Sequence, residues 1–147
     1  MPKIISINIS EKKGVSKSPV KEGFFKENWG LQDDAHAGPG DRQVSLLDVE
    51  AINTFNKGFP VRTEKIKVGD FAENLTVDGM NLVSFKPGTR LKIGNVLLEI
   101  SIIGKKCLKP CAIYKKIGSC IMPTKGVFAR VIKGGRIRRG DEIREEK

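Results

Sequence analysis

The sequence predicts a mainly β protein: one closed, β-barrel-like domain spanning residues 1–147, with one or two short helices. The chain is rich in glycine and poor in aromatic residues, with 16 Gly, one Trp and one Tyr. Its short apolar runs are separated by turn signals at intervals of about 8–12 residues, which is typical of barrels and sandwiches. No βαβ rhythm is evident, which disfavours a Rossmann-like sheet.

The first half of the chain contains two predicted strands and two loops. Alternation of apolar and polar residues from Ile5 predicts a strand over residues 3–9. Residues 14–20 are expected to form a loop leading to a sheet edge, and residues 30–40 a polar loop. A second short strand is expected over residues 43–47.

The clearest helix signal lies at residues 48–57. Its apolar positions fall three residues apart, at Val49, Ile52 and Phe55. Asp48 is a suitable N-cap and Gly58 a suitable end. This spacing predicts an amphipathic helix packed against the barrel.

The second half predicts further strands and one more short helix. A two-residue Gly94–Asn95 turn between apolar runs is a hairpin signal. Pro110 can begin a helix over residues 111–117. The predicted strands cover residues 90–93, 96–103, 127–132 and 140–144.

Composition excludes several classes of protein. No apolar run approaches the ~18 residues of a membrane span, and the N-terminus lacks a signal-peptide pattern. Three cysteines without a secretory signal indicate free thiols and a cytoplasmic location. Residues 101–147 carry 13 of the 27 basic residues and only 4 of the 17 acidic ones. This basic third predicts an anionic partner, and its alternative is a solvated surface.

The three cysteines lie within the basic third. Cys107, Cys111 and Cys120 are candidate nucleophiles, metal ligands or sulfur carriers. Neighbouring lysines favour the thiolate, and Cys111 would also lie in the first turn of a helix. The alternative is burial as a small apolar residue. Three Cys and one His without a second close pair disfavour structural zinc.

Other candidate residues lie in polar loops. The only histidine, His36, follows Asp34 in a glycine-flanked loop, whose alternative interpretation is a structural turn. Glu73 and Asn74 lie in a compact polar segment, and the alternative is that they bond the backbone. Arg130 is suited to hold a phosphate, or to form an ion pair only.

Taken together, these segments resemble the MOSC domain, named for the C-terminal domain of molybdenum cofactor sulfurase. The order of the motifs carries the resemblance. They are Gly-Leu-x-x-Asp-Ala-His-Ala-Gly at 30–38, and the segments at 42–47, 69–76, 88–94, 104–107, 118–123 and 126–131, with Cys111. Two positions depart from the pattern. Asp33 stands where relatives often have glycine, and Leu108 where close relatives often have histidine.

The resemblance implies a fold similar to the pyruvate kinase β-barrel domain and a role around the molybdenum cofactor (molybdopterin). The protein would bind the cofactor, or carry sulfur as a persulfide for its maturation or for a molybdoenzyme. Cys111 matches the family cysteine that receives sulfur or ligates molybdenum. A separate pyridoxal-phosphate cysteine desulfurase would then be a partner, and sulfurtransferase activity is an open question.

The pterin phosphate would need a basic pocket. Lys105, Lys106, Arg130 and Arg42 are expected to line it. The other candidate cofactor-binding residues are Asp34, His36, Glu73 and Asn74.

Two other classes compete with this interpretation. One is a basic nucleic-acid-binding module, and the other is a thiol-based sensor of metal or oxidants. Single-strand binding is disfavoured because the basic third has only Tyr114 and Phe128 as stacking residues.

Overall fold

The computed structural model describes residues 2–13, 15–58, 66–104 and 125–146. Within these ranges no helix has the length and apolar character needed to cross a membrane. The predicted helix at 111–117, the three cysteines, Lys105 and Lys106 lie outside the described residues.

The described chain contains eleven strands and one α-helix. The strands are β1 (Lys3–Ile9), β2 (Ser18–Val20), β3 (Glu22–Lys26), β4 (Gly30–Leu31), β5 (Val44–Asp48), β6 (Leu75–Asp78), β7 (Arg90–Ile93), β8 (Val96–Ile103), β9 (Val127–Lys133), β10 (Gly135–Arg138) and β11 (Arg144–Glu146). The helix α1 spans Val49–Gly58, and a single 3-10 turn spans Leu82–Ser84.

Two sheets enclose the main core. The larger has eight strands in the order β11-β7-β8-β9-β5-β6-β1-β2 and is strongly curled into a half-barrel. The smaller has the order β10-β3-β4. Side chains from both sheets, such as Leu46, Val131, Phe25 and Ile137, are buried in the same apolar cluster. The mainly β, barrel-like fold that the sequence predicts is confirmed.

Most strand pairs are antiparallel, as predicted, but β5 and β6 run parallel. Helix α1 lies between them in sequence, so β5, α1 and β6 form one β-α-β unit. A single β-α-β unit leaves no repeated βαβ pattern in the sequence. Its return strand β6 begins at Leu75, the last residue of the polar segment at 69–75, and the sequence predicts no strand there.

Several element predictions hold closely. The Gly94–Asn95 hairpin is present, with Ile93 paired to Val96 and Gly94 at φ +57°. Strands β1, β5 and β9 match their predicted ranges within one or two residues. The last strand differs: it begins at Arg144 rather than at Gly140, because Ile143 is buried in the core.

Helix α1 begins and packs as its sequence predicts. The Asp48 carboxylate accepts a hydrogen bond of 3.0 Å from the N–H of Glu50, which caps the first turn. Ile52 and Phe55 are buried in a second apolar cluster with Leu47 and Phe128. Val49 is only half-buried. Phe55 also packs edge-on against Phe71, with ring centroids 5.3 Å apart.

Replacing Ile52 with alanine tests this packing. Ile52→Ala should lower the free energy of unfolding by roughly 2–5 kcal/mol, since it removes buried methyl groups and leaves a cavity. Urea denaturation measures the change. Thr54→Ala, on the exposed side of the same helix, is the matched control and should stay within about 0.5 kcal/mol of wild type. Equal stabilities of the two variants would contradict the packing described.

Candidate functional site

The strands β1, β5 and β6 carry polar side chains on the sheet face that points away from the main core. Ile7, Leu46 and Leu75 point into the core, so their alternating neighbours lie on the opposite, outer face. Helix α1 and residues 66–72 pack over part of this face. The side chains that form the polar cluster are Ser6, Asn8, Ser10, Lys17, Asp34, His36, Ser45, Glu73, Asn74 and Thr76.

Asn74 joins three strands within the polar cluster. Its Oδ1 accepts a hydrogen bond of 3.0 Å from the N–H of Ser45, and its Nδ2 donates to the carbonyl of Asn8 at 3.3 Å. Its own N–H donates to the Ser45 hydroxyl at 2.9 Å. Asn74 therefore links β1 and β5 at the start of β6, which is the backbone-bonding role that the alternative interpretation expected.

Glu73 is fully buried beneath the turn that precedes β6. Its Oε2 accepts hydrogen bonds from the Gly69 N–H at 3.0 Å and from the Thr76 hydroxyl at 2.8 Å. Its Oε1 has no partner among the described residues. Burial raises the pKa of Glu73 from 4.5 to about 7, although both hydrogen bonds act to lower it. A neutral Glu73 therefore persists up to near-neutral pH.

The turn above Glu73 requires a glycine at position 69. Gly69 has φ +85°, and a β-carbon there would lie 2.3 Å from the carbonyl oxygen of Lys17. The N–H of Lys17 also donates to the Gly69 carbonyl at 2.8 Å. This close approach holds the segment leading to β2 against the turn.

Lys17 and Asp34 form a buried ion pair at one end of the polar cluster. The ammonium lies 2.7 Å from Asp34 Oδ1 and 2.9 Å from the Ser10 hydroxyl. Burial would raise the pKa of the Asp34 carboxyl, but the hydrogen bonds from Lys17 and from the Ser10 N–H outweigh it and hold that pKa below its usual value. Burial lowers the pKa of Lys17, although Asp34 opposes the shift.

The same ion pair orients His36. The His36 N–H donates to Asp34 Oδ2 at 3.1 Å, and the ring Nδ1 lies 2.9 Å from the Lys17 ammonium. A charged ammonium only donates hydrogen bonds, so this contact requires the His36 tautomer in which Nδ1 is the acceptor. The neighbouring Asp33 has φ +70°, a left-handed conformation that glycine adopts most readily.

The structure brings four sequence-predicted candidates together: Asp34, His36, Glu73 and Asn74 all belong to the polar cluster. Lys17 was not predicted, although it is the buried cation that pairs with Asp34. The sequence signal around it predicted only a loop. The polar side chains of Ser6 and Asn8 alternate with apolar ones along β1 and are also buried, whereas the alternation predicted only the strand.

Arg42 and Arg130 lie farther along the outer face: Arg42 contacts Phe128, and Arg130 follows Phe128 by two residues on β9. The guanidinium carbon of Arg42 is 5.9 Å from the centroid of the Phe128 ring. Arg130 forms an ion pair with Asp41. Phe128 pairs with Ser45 across β5 and β9, so this arginine face, defined as Asp41, Arg42, Phe128 and Arg130, adjoins the polar cluster.

The arginine face also lies near the ends of the stretch that carries the cysteines. The N–H of Gly104 donates to the carbonyl of Gly126 at 2.7 Å, just before Val127 begins β9. Gly104 and Gly126, which lie before and after residues 105–124 in sequence, are therefore neighbours in space. Cys107, Cys111, Cys120, Lys105 and Lys106 remain predictions. Across the described ranges, no group of three His, Asp or Glu side chains is arranged to hold a metal ion.

The sequence matches the family model of the MOSC domain over residues 32–144. The chain belongs to the MOSC domain family. The match covers most of the chain and includes the arginine face, Glu73, Asn74 and all three cysteines. No curated protein matches the sequence.

Solved structures resemble this MOSC protein in fold. The YuaD protein of Bacillus subtilis is 19% identical with a TM-score of 0.79, covering 97% of this chain and 94% of that one. YiiM of Geobacillus stearothermophilus is 20% identical with a TM-score of 0.78, covering 100% and 76%. YiiM of Escherichia coli is 19% identical with a TM-score of 0.73, covering 99% and 70%.

Glu73→Gln tests the buried carboxyl through its pH dependence. With its pKa raised on folding, Glu73 binds a proton more tightly in the native state, so its contribution to stability falls as pH rises from about 4.5 to about 7. Glutamine removes this dependence. Between those pH values the free energy of unfolding of the variant should rise by on the order of 3 kcal/mol relative to that of wild type.

Urea denaturation across this pH range measures the difference. Glu50→Gln removes the same charge from the exposed surface of α1 and is the matched control, so its difference from wild type should stay flat. A flat difference for Glu73→Gln as well would show that the buried carboxyl does not titrate in this range.

Proposed function

We propose that this MOSC protein binds the molybdenum cofactor and carries sulfur for its maturation or for that of a molybdoenzyme. Family membership supplies the chemical class, since MOSC domains are linked to molybdenum cofactor sulfurase-type function. The observation that carries the proposal is that Arg42, Phe128 and Arg130 share the outer face beside the ends of the cysteine-bearing stretch.

The arginine face fits the phosphate of such a cofactor. A guanidinium presents paired N–H donors that match phosphate oxygens. Arg130 is 47% exposed and its partner Asp41 is 52% exposed, so an anion has access to both. Asp41 competes for the same guanidinium. A bound phosphate would therefore displace the Asp41 carboxylate from Arg130 or share the guanidinium with it.

Arg42 adds a second cation in a fixed orientation. Its guanidinium lies over the Phe128 ring, which is itself held in the apolar cluster under α1. The single O–H of Ser101 lies between two carbonyl acceptors, that of Asp41 and that of Phe128 at 3.1 Å, and is shared by them. These contacts hold the backbone beneath both arginines. Lys105 and Lys106, directly after Gly104, would complete the basic pocket.

The polar cluster would contribute orientation rather than charge. Asp34 is paired with Lys17, and Glu73 stays neutral up to near-neutral pH, so the cluster adds little negative charge to repel an anionic ligand. His36 is held beside this ion pair through its backbone N–H and its ring Nδ1. We assign the cluster the role of fixing the sheet face beside the arginines, with Asn74 linking its strands.

The sulfur-carrier role rests on Cys111. Its thiolate would attack the terminal sulfur of a persulfide on a separate pyridoxal-phosphate cysteine desulfurase. A new S–S bond forms on Cys111, and the desulfurase cysteine leaves as its thiolate, so no outside oxidant is consumed. In the bound complex Cys111 would be the protein's ligand to molybdenum, with Cys107 and Cys120 as supporting thiols.

Arg130→Ala tests the arginine face. The variant should retain roughly a tenth or less of the cofactor, because it loses a charge-assisted hydrogen bond to phosphate. Native mass spectrometry of protein from a molybdate-fed, cofactor-producing host measures the bound fraction. Asp41→Asn should retain more cofactor than wild type, since it releases Arg130.

Arg90→Ala is the matched control. Arg90 is also 47% exposed and is paired with Glu99, but it lies on β7. Its replacement removes the same charge and should leave cofactor retention unchanged. Equal retention by the Arg90 and Arg130 variants would contradict the proposed phosphate site.

Cys111→Ser tests the sulfur carrier separately. After incubation with a cysteine desulfurase, cysteine and pyridoxal phosphate, wild type should gain the mass of added sulfur and Cys111→Ser should not. Cys120→Ser is the control and should still gain it. Normal sulfur gain by Cys111→Ser would show that another thiol is the acceptor.

A further inference from the structure

The small sheet carries the two exposed large apolar side chains among the described residues. Phe24 on β3 is 48% exposed and Trp29, in the turn before β4, is 40% exposed. Both line one cleft of about 700 Å³. Aromatic rings in such positions are common in sites that bind a ligand or a partner.

Strand pairing places arginines beside these rings. Arg136 on β10 lies directly opposite Phe24 on β3, and Arg138 lies opposite Glu22. Residues directly opposite each other on antiparallel strands share a face. The outer face of this β10–β3 pair therefore presents Phe24 together with Arg136 and Arg138.

A glycine makes this pairing possible. A β-carbon on Gly134 would lie 2.6 Å from the carbonyl oxygen of Phe25 and 3.1 Å from the nitrogen of Glu27. The chain therefore crosses directly against β3 as it leaves β9. As a result, strand β10 from the basic third of the sequence lies beside β3 and its aromatic residues from the first third.

The face has more cations than anions to pair with them. The Glu22 carboxylate lies 3.7 Å from Arg136 Nε and 3.3 Å from Arg138 Nε, so one acid serves two guanidiniums. The Lys26 ammonium lies 5.8 Å from the centroid of the Trp29 ring. The surplus positive charge suits a polyanion.

Other residues that line the cleft are polar or acidic rather than basic, and they include Gln32, Asp33 and Glu11. Their amide and carboxylate oxygens accept hydrogen bonds from N–H groups, whereas the carboxylates repel phosphates. A ligand with an aromatic, N–H-bearing part and an anionic part would therefore place its ring in the cleft and its phosphate toward Arg136 and Arg138.

We propose that this surface, formed by Phe24, Lys26, Trp29, Arg136 and Arg138, binds single-stranded nucleic acid. Unpaired bases would stack on Trp29 and Phe24, and the phosphates would contact the arginines and Lys26. A duplex would not present its base faces to rings on a sheet surface. The inference is independent of the arginine face around Phe128 and of the cysteines.

The sequence alone disfavours single-strand binding, because the basic third contains only Tyr114 and Phe128 as stacking residues. The structure supplies Phe24 and Trp29 from the first third, so aromatic and basic side chains share one face after all.

Trp29 provides the direct readout, since it is the only tryptophan in the chain. Titration with a single-stranded oligothymidylate of about 12 nucleotides, at about 50 mM salt, should quench its fluorescence. A fluorescently labelled copy of the oligonucleotide should show a matching rise in anisotropy. Binding should weaken steeply as salt increases.

Matched variants separate stacking from bulk charge. Trp29→Ala and Phe24→Ala should each weaken binding in the anisotropy assay on the order of tenfold. Arg136→Ala and Arg138→Ala should each weaken it and lower the slope of log affinity against log salt by about one. Arg90→Ala, on β7, removes the same charge and should leave both quantities unchanged. Circular dichroism and thermal melting check that each variant is folded.

Four results would overturn the proposal. The first is unchanged affinity in both aromatic variants, and the second is an equal loss in Arg90→Ala, since either would mean that net charge alone holds the strand. The third is equally tight binding of a duplex of the same length. Quenching by thymidine monophosphate at the oligonucleotide's affinity would also overturn it, because the ligand would then be a free nucleotide.

Discussion

Strands β5 and β6 are buried on both faces, so the polar side chains on their outer face must find hydrogen-bond partners inside the protein. An unpaired buried polar group costs about 1–3 kcal/mol, and the chain avoids most of this cost through the polar cluster. Asn74 bonds Ser45 and Asn8, while Glu73 bonds Gly69 and Thr76. The parallel β5–β6 pairing, the position of α1 and the turn at Gly69 all depend on these contacts.

The buried Lys17–Asp34 pair extends this constraint to the segments outside the sheet. Lys17 contacts Ser10, Asp34 and His36 through its side chain and Gly69 through its backbone. Lys17, through its ammonium and its backbone N–H, therefore links the end of β1, the loop after β4 and the turn before β6. Such a pair adds little net stability compared with apolar residues, but removing one partner leaves a buried charge. Its role is thus to specify one arrangement of loops beside the candidate site.

The basic third of the chain contributes arginines to two separate surfaces. Arg130 on β9 lies beside Phe128 on the large sheet, whereas Arg136 and Arg138 on β10 lie beside Phe24 on the small one. In each place guanidiniums adjoin an aromatic ring and one exposed carboxylate, Asp41 or Glu22, moderates their charge. The division follows from Gly134, where the chain passes from one sheet to the other. A charge excess that is continuous in sequence is therefore split in space between two basic surfaces.

The sequence by itself determined the features that depend on near neighbours. The Gly94–Asn95 hairpin, the capped helix α1 and the alternation of β1 are set by local conformational preference and periodicity, and the order of short motifs indicated the MOSC family. The tertiary structure alone decided which distant residues meet. Glu22 and Arg138 are 116 positions apart. Lys17 and Asp34 form an ion pair although β2, β3 and β4 lie between them in sequence. The pKa of Glu73 is raised because folding buries its carboxyl. Strand pairing and burial are long-range properties, and residue spacing along the chain carries little information about them.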